Sequence, residues 1–241
     1  MRYKSVVTMH TVNRMQTYGW PLVIMLIAIA FTIAIAIGLT VHSVSDAEGV
    51  EGMNNGMRFN GAIFTVLGPI VMLGFISMGQ YFPLALGLGL TRREYVLGTS
   101  LVFLGYAVVF TAIVLIGKSI ELATDGYGLR VRFFDVAYVG FGPLWQTAIQ
   151  TFLIAMSAML VGAAFISGYF RWRQTFIWSF FITVAVVGLA VAILSMRSFE
   201  FATWFGSLFA LDWWAYMTTL GVVAVVAGVA WLVLVRRTQL R

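Results

Sequence analysis

This chain contains no cysteine, only four prolines and two histidines, and one charged residue in ten over its 241 residues. Each shortage excludes something. Without cysteine there are no disulfides and no thiolate metal sites. The histidines, His10 and His42, fall at or outside the ends of apolar runs. No imidazole therefore sits at mid-membrane depth to activate a serine, and no metal-ligand cluster forms. A soluble domain of this size carries roughly a quarter charged residues, so the low charge argues against a water-exposed fold. Acidic residues are missing from the middles of the apolar runs, which removes the ionisable relay that a self-powered proton pump needs. A phosphate-binding loop is missing too. Gly117-Lys118-Ser119 ends like one, but Ala112 stands where the pattern needs glycine, and no strand precedes it. Lys118 reads instead as a snorkelling side chain at the membrane surface near Glu121.

What is present is apolar sequence: 61% of residues are hydrophobic. Uncharged runs of span length predict an all-α integral membrane protein with six transmembrane helices, at about 20–41, 61–83, 97–118, 142–167, 175–195 and 213–235. The whole chain reads as one transmembrane domain. Its polar start is followed by a run longer than a signal-peptide core, so no cleaved leader is expected. Residues 1–19 mix Val6, Val7, Met9, Val12 and Met15 with basic residues, as an interfacial amphipathic helix does. Pro21 and Pro143 suit first helical turns. Pro69 predicts a kink in the second span, and Pro83 its end.

Charge sets the orientation. Arg2, Lys4, Arg14, Arg92, Arg93, Arg171, Arg173, Arg236, Arg237 and Arg241 flank one set of span ends with a single acid, Glu94. The opposite set has five basic residues (Arg58, Lys118, Arg130, Arg132, Arg197) and eight acids. The positive-inside bias makes the first set, and with it both termini, cytoplasmic. The same bias explains the basic pI without invoking nucleic acid. Loop 42–60, with Asp46, Glu48 and Glu51, reads as a solvated connection.

The most informative interruption is Leu90-Thr91-Arg92-Arg93-Glu94-Tyr95. No charged residue lies between Arg58 and Arg92, or between Glu94 and Lys118. Thr91-x-x-Glu94 is a capping box, so a helix starts at Arg92. With Gly87 and Gly89 before it and Gly98 after it, the reading is a short, hinged surface helix over about 91–97 that presents Arg92, Arg93 and Tyr95 to the cytoplasm. Elsewhere, Gln146, Thr147, Gln150 and Thr151 share a face of the fourth span. In a bilayer, such amides and hydroxyls face protein or a cavity, as helix glue or a substrate path. Gln80 carries the same ambiguity. Ala30 and Ala34 mark a face where another helix can approach.

Leu86–Leu101, LGLGLTRREYVLGTSL, resembles the segment after the second helix in transmembrane permease subunits of ABC-2-type ABC transporters. The layout of interfacial helix, six spans and inside termini is similar as well. So is the apolar stretch 199–212, which in that family dips back into the outer leaflet. The resemblance implies a dimerising permease, identical or homologous in its second membrane subunit, set in a prokaryotic plasma membrane. ATP and Mg would belong to separate cytoplasmic ATPase subunits, and this chain would hold no cofactor and no catalytic site. Thr91, Arg92, Arg93, Glu94 and Tyr95 would form the coupling helix, with Tyr95 anchoring in an ATPase pocket. The transport direction implied is export, of an amphipathic or hydrophobic substrate. Two rivals stand beside it: a substrate-capturing component of an energy-coupled uptake system, and a non-transport immunity or assembly factor.

Overall fold

A computed structural model describes residues 3–42, 52, 55–137, 139–140, 142–208 and 212–237. Every regular element among them is helical. The α-helices are α1 (Tyr3–Val12), α2 (Trp20–His42), α3 (Leu67–Ile76), α4 (Phe82–Gly87), α5 (Arg92–Ala123), α6 (Leu144–Arg197), α7 (Phe199–Ser207) and α8 (Trp213–Arg237). Five helical stretches are long and apolar enough to cross a bilayer: Met15–Gly38, Asn55–Gly87, Arg92–Ala123, Leu144–Arg197 and Trp213–Arg237. This is a multi-pass, all-α membrane protein.

The fourth stretch, α6, joins the runs expected at 142–167 and 175–195 without a loop. A straight helix of its 54 residues would be about 80 Å long, against about 30 Å of hydrocarbon. It is not straight: Arg173 takes φ 54° and ψ −135°, outside helical space. The Phe165 and Phe180 rings lie 5.2 Å apart, where fifteen helical residues would separate them by about 22 Å. The chain therefore folds back on itself at Arg173. Before the fold, α6 is the hub of the bundle. After it, no residue from 174 to 197 is buried within the chain.

Close approach replaces the hydrophobic effect as the packing principle in lipid, so small residues mark the crossings. A Cβ on Gly74 would strike the Met159 carbonyl and lie 2.9 Å from the Ala163 nitrogen. One on Gly162 would lie 2.5 Å from the Val71 carbonyl. The second span and α6 thus touch backbone to backbone. The Ser157 hydroxyl donates to the Leu220 carbonyl at 3.1 Å and ties α6 to α8. Trp231 of α8 is buried, and its indole N–H donates to Met78 Sδ at 3.1 Å.

Several expectations change. Pro83 does not end the second span. A π turn at Ser77–Tyr81 precedes it, so Pro83 falls in the first turn of α4, where its missing N–H is tolerated. Pro69 sits in the first turn of α3, directly after a 3₁₀ turn at Ala62–Val66. On α2 the buried face is Met25, Ala28, Thr32 and Ala36, while Ala30 and Ala34 are exposed. No residue of α7 is buried. His42's side chain, and Asp46, Glu48 and Glu51, lie outside the described residues.

Candidate functional site

The island at 90–95 has a defined local structure. The Thr91 hydroxyl accepts from the Glu94 N–H at 3.2 Å, and a Glu94 carboxylate oxygen accepts the Thr91 N–H at 2.9 Å. Both halves of the capping box are present. The helix it starts does not stop near residue 97 but runs unbroken to Ala123. Gly98, expected as a hinge, is a packing residue. A Cβ there would lie 2.5 Å from Val6 Cβ and 3.1 Å from the Tyr3 carbonyl, so α1 rests directly on the start of α5.

The island's side chains part company. The Arg92 guanidinium donates to the Val235 carbonyl at 2.9 Å and to the Arg236 carbonyl at 2.6 Å. A cation on the last carbonyls of a helix is favourable for the same reason that a basic last turn is. Thr91 and Arg93 are exposed, and Glu94 is half-buried. Tyr95 is fully buried: its hydroxyl donates to the Ser77 carbonyl, and its ring meets Phe82 edge-on at 5.1 Å. The expectation that Tyr95 anchors in a partner's pocket is therefore corrected. Its pocket is in this chain, because the π turn at Ser77–Tyr81 offers its carbonyl there.

At the other end of α5 lies a site that residue type alone does not reveal. Lys118 is not a snorkelling side chain; it is 0% exposed. Its ammonium donates to the Gly140 carbonyl, to the Gly142 carbonyl at 2.5 Å and to Thr147 Oγ1 at 2.9 Å, and it pairs with Asp135 at 3.0 Å. Arg132 holds the second Asp135 oxygen at 2.6 Å. Glu121, also buried, accepts the backbone N–H groups of Phe133, Phe134 and Asp135 at 2.9, 2.8 and 3.1 Å. A carboxylate is unfavourable at a helix C-terminus; here three donors in a row compensate it. Burial raises the Tyr127 phenol pKa above its ordinary value, and the Glu121 charge adds to that. The segment between α5 and α6 is thus folded back over the bundle. It is stitched to the preceding loop by Ala137 N–H to the Arg58 carbonyl at 2.7 Å and by Asn60 to the Arg132 carbonyl at 3.3 Å. A polar cavity of about 330 Å³, lined by Glu121, Asp125, Arg132 and Asp135, opens beside it. No group of metal-ligating side chains occurs among the described residues.

The fourth-span face divides as well. Thr147 belongs to the Lys118 network, donating to the Gly140 carbonyl at 2.8 Å. Gln150 and Thr151 are buried, and Gln150 Oε1 and Thr151 Oγ1 have no protein partner among the described residues. Gln146 is half-buried at Gly142. Gln80 is exposed and joins none of these contacts.

These contacts also sort the charges by end. Arg92 brings the start of α5 to the end of α8, and Val6 brings α1 there. Lys118 brings the end of α5 to the start of α6, and Glu121 ties it to the segment between them. Lys4, Arg92, Arg93, Arg236 and Arg237 therefore gather at one end, with Glu94 the acid among them. Glu121, Asp125 and Asp135 lie at the other, with Lys118 and Arg132. No family model, curated protein or solved structure matches this chain.

Proposed function

We propose that this chain is the membrane-spanning permease subunit of an ABC-2-type transporter. In this reading it exports an amphipathic or hydrophobic substrate with ATP hydrolysed, with Mg, on separate cytoplasmic ATPase subunits. α6 counts as two spans folded at Arg173, giving six spans with both termini cytoplasmic in a prokaryotic plasma membrane. A second membrane subunit, identical or homologous, completes the assembly.

The observation that carries the reading is the island. The capping box gives Thr91–Glu94 a fixed geometry at the basic end of the bundle, where Arg92 clamps α8 and Arg93 projects outward. A rigid cationic helix start, mechanically tied to two spans, suits transmission of force from a partner with an acidic groove. The contact set differs from the one that the resemblance implies. Thr91 and Arg93 make the contact, Arg92 and Glu94 brace it, and Tyr95 stays internal.

The test is copurification from a strain expressing the chain with its neighbouring gene products. An ATPase is expected to copurify with wild type, and Arg93→Glu is expected to release it at unchanged permease yield. Retention of the ATPase by Arg93→Glu, or absence of any ATPase from the wild-type preparation, would refute the coupling role.

A further inference from the structure

His10 hydrogen-bonds to neither the island nor the Lys118 network, yet it is 5% exposed on a helix that sequence pattern lays on the membrane surface. Its Nδ1 lies 3.1 Å from the Val6 carbonyl, so the ring proton sits there and Nε2 carries the bare lone pair. Nε2 is buried with no protein partner among the described residues. The Tyr81 ring lies 4.6 Å away and the Tyr95 ring 6.2 Å. Two π turns, Met15–Gly19 and Ser77–Tyr81, contribute Gln16, Thr17 and Tyr81 to a cavity of about 10 Å³ beside the imidazole. Such a space takes one water at most and no hydrated anion.

α1 has two buried residues, Val6 against Gly98 and His10 among the tyrosines. One of its two anchors is therefore titratable. We propose that His10 is a proton-operated latch: α1 docks on α5 with the imidazole neutral and releases when the ring is protonated.

The surroundings favour the neutral ring. The titratable groups packed around it are Tyr81 from the second π turn and Tyr95 and Tyr106 from α5, with Tyr3 and Lys4 further along α1 itself. None is a carboxylate, so an imidazolium would have no counter-ion, and the cavity admits none. The tyrosine faces offset this only in part. Burial accordingly pulls His10 from 6.5 to about 4. The docked state thus binds fewer protons than the released one between those values. Docking is at full strength above pH 6.5 and weakens as pH falls towards 4, by a factor on the order of 100 in the docked-to-released ratio.

The absence of cysteine makes the test direct. Single cysteines are placed at Val6, which is buried, and at Ser5, which is exposed. Their reaction rates with a dipyridyl disulfide, which modifies thiols in acid as well as at neutrality, are compared in nanodiscs. The Ser5→Cys to Val6→Cys rate ratio reports protection by docking and cancels the reagent's own pH dependence. The ratio is expected to fall on the order of 100-fold between pH 7.5 and 4.5 in the His10 background. It should stay flat in His10→Phe. If His10→Phe is unprotected at pH 7.5, His10→Gln serves instead, since its amide also donates to the Val6 carbonyl. A flat ratio with His10 present, no protection at pH 7.5, or an equal fall in the non-titratable variants overturns the latch. This inference does not depend on the transport reading.

Discussion

Replacing Lys118 with methionine separates two views of the end of the bundle where α5 stops. A snorkelling lysine at the membrane surface contributes about 0–1 kcal/mol, as exposed ion pairs do. The buried ammonium seen here has four partners, of which Asp135 bears the charge. Methionine is one heavy atom shorter but keeps most of the apolar stem, so cavity formation adds little. Removing one member of a buried pair costs about 3–5 kcal/mol, because the remaining charge loses its compensation. Asp135 retains Arg132 at 2.6 Å, and the Gly140 carbonyl retains the Thr147 hydroxyl. The lower end, about 3 kcal/mol, is therefore expected. For a chain of this size that corresponds to a fall of about 6–12 °C in Tm. Thermal unfolding in detergent, followed by tryptophan fluorescence, measures it. Combining Lys118→Met with Asp135→Asn should cost at least about 1 kcal/mol less than the sum of the singles, since the two share one interaction. Trypsin should also cut faster after Arg132 in Lys118→Met. A Tm within 1–2 °C of wild type and unchanged proteolysis would refute the buried-network account.

Two further substitutions test the packing. Gly74→Ala places a methyl group against the Met159 carbonyl, where backbone rather than a flexible side chain must yield. Overpacking of this kind costs about 1–3 kcal/mol, to be read as a lower Tm, and no change would mean that the crossing is looser than described. Tyr95→Phe removes only the hydroxyl bonded to the Ser77 carbonyl and should cost about 1 kcal/mol. Tyr95→Ala empties an aromatic core site and should cost about 3–5 kcal/mol. Thermal stability of the two variants, measured beside partner binding, distinguishes an internal Tyr95 from a surface anchor: a stable, soluble Tyr95→Ala protein that simply fails to bind its partner would contradict the burial.

The membrane class, the helix start at Arg92 and the sorting of charge by end are legible in the sequence, because each rests on a strong local signal. Uncharged span-length runs, a capping box, and basic residues beside the runs are such signals. The failures share a cause. Reading Gly98 as a hinge and Pro83 as a stop treats local propensity as decisive, yet a neighbouring helix needed the space at Gly98, and a π turn removed the conflict at Pro83. The docking of His10 gives no local signal at all, since its partners Tyr81 and Tyr95 lie far along the chain. The burial of Lys118 runs against expectation because a lysine at the end of an apolar run usually reaches for water. The warning was the long segment after it, with Gly126, Gly128, Gly140 and Gly142 among acids and arginines, since loops of that length seldom lack structure of their own.

One helical face connects these cases. The buried positions of α5 include Tyr95, Thr99, Phe103, Tyr106, Phe110, Val114, Lys118 and Glu121, spaced by three or four throughout. That is the period of a single helical stripe. Once the capping box starts the helix at Arg92 and no break intervenes, Tyr95 and Lys118 must face the same way, so placing one inside the protein places the other there too. The opposite stripe is Arg93, Leu97, Leu101, Leu104 and Val108, all exposed. Adjacent arginines are separated by about 100° on a helix, which is why Arg92 turns in to the carbonyls of α8 while Arg93 continues the outward stripe. A partner approaching this end of the bundle therefore meets Arg93 and Thr91 at the head of an apolar strip. The same unbroken helix carries Lys118 and its network at the far end.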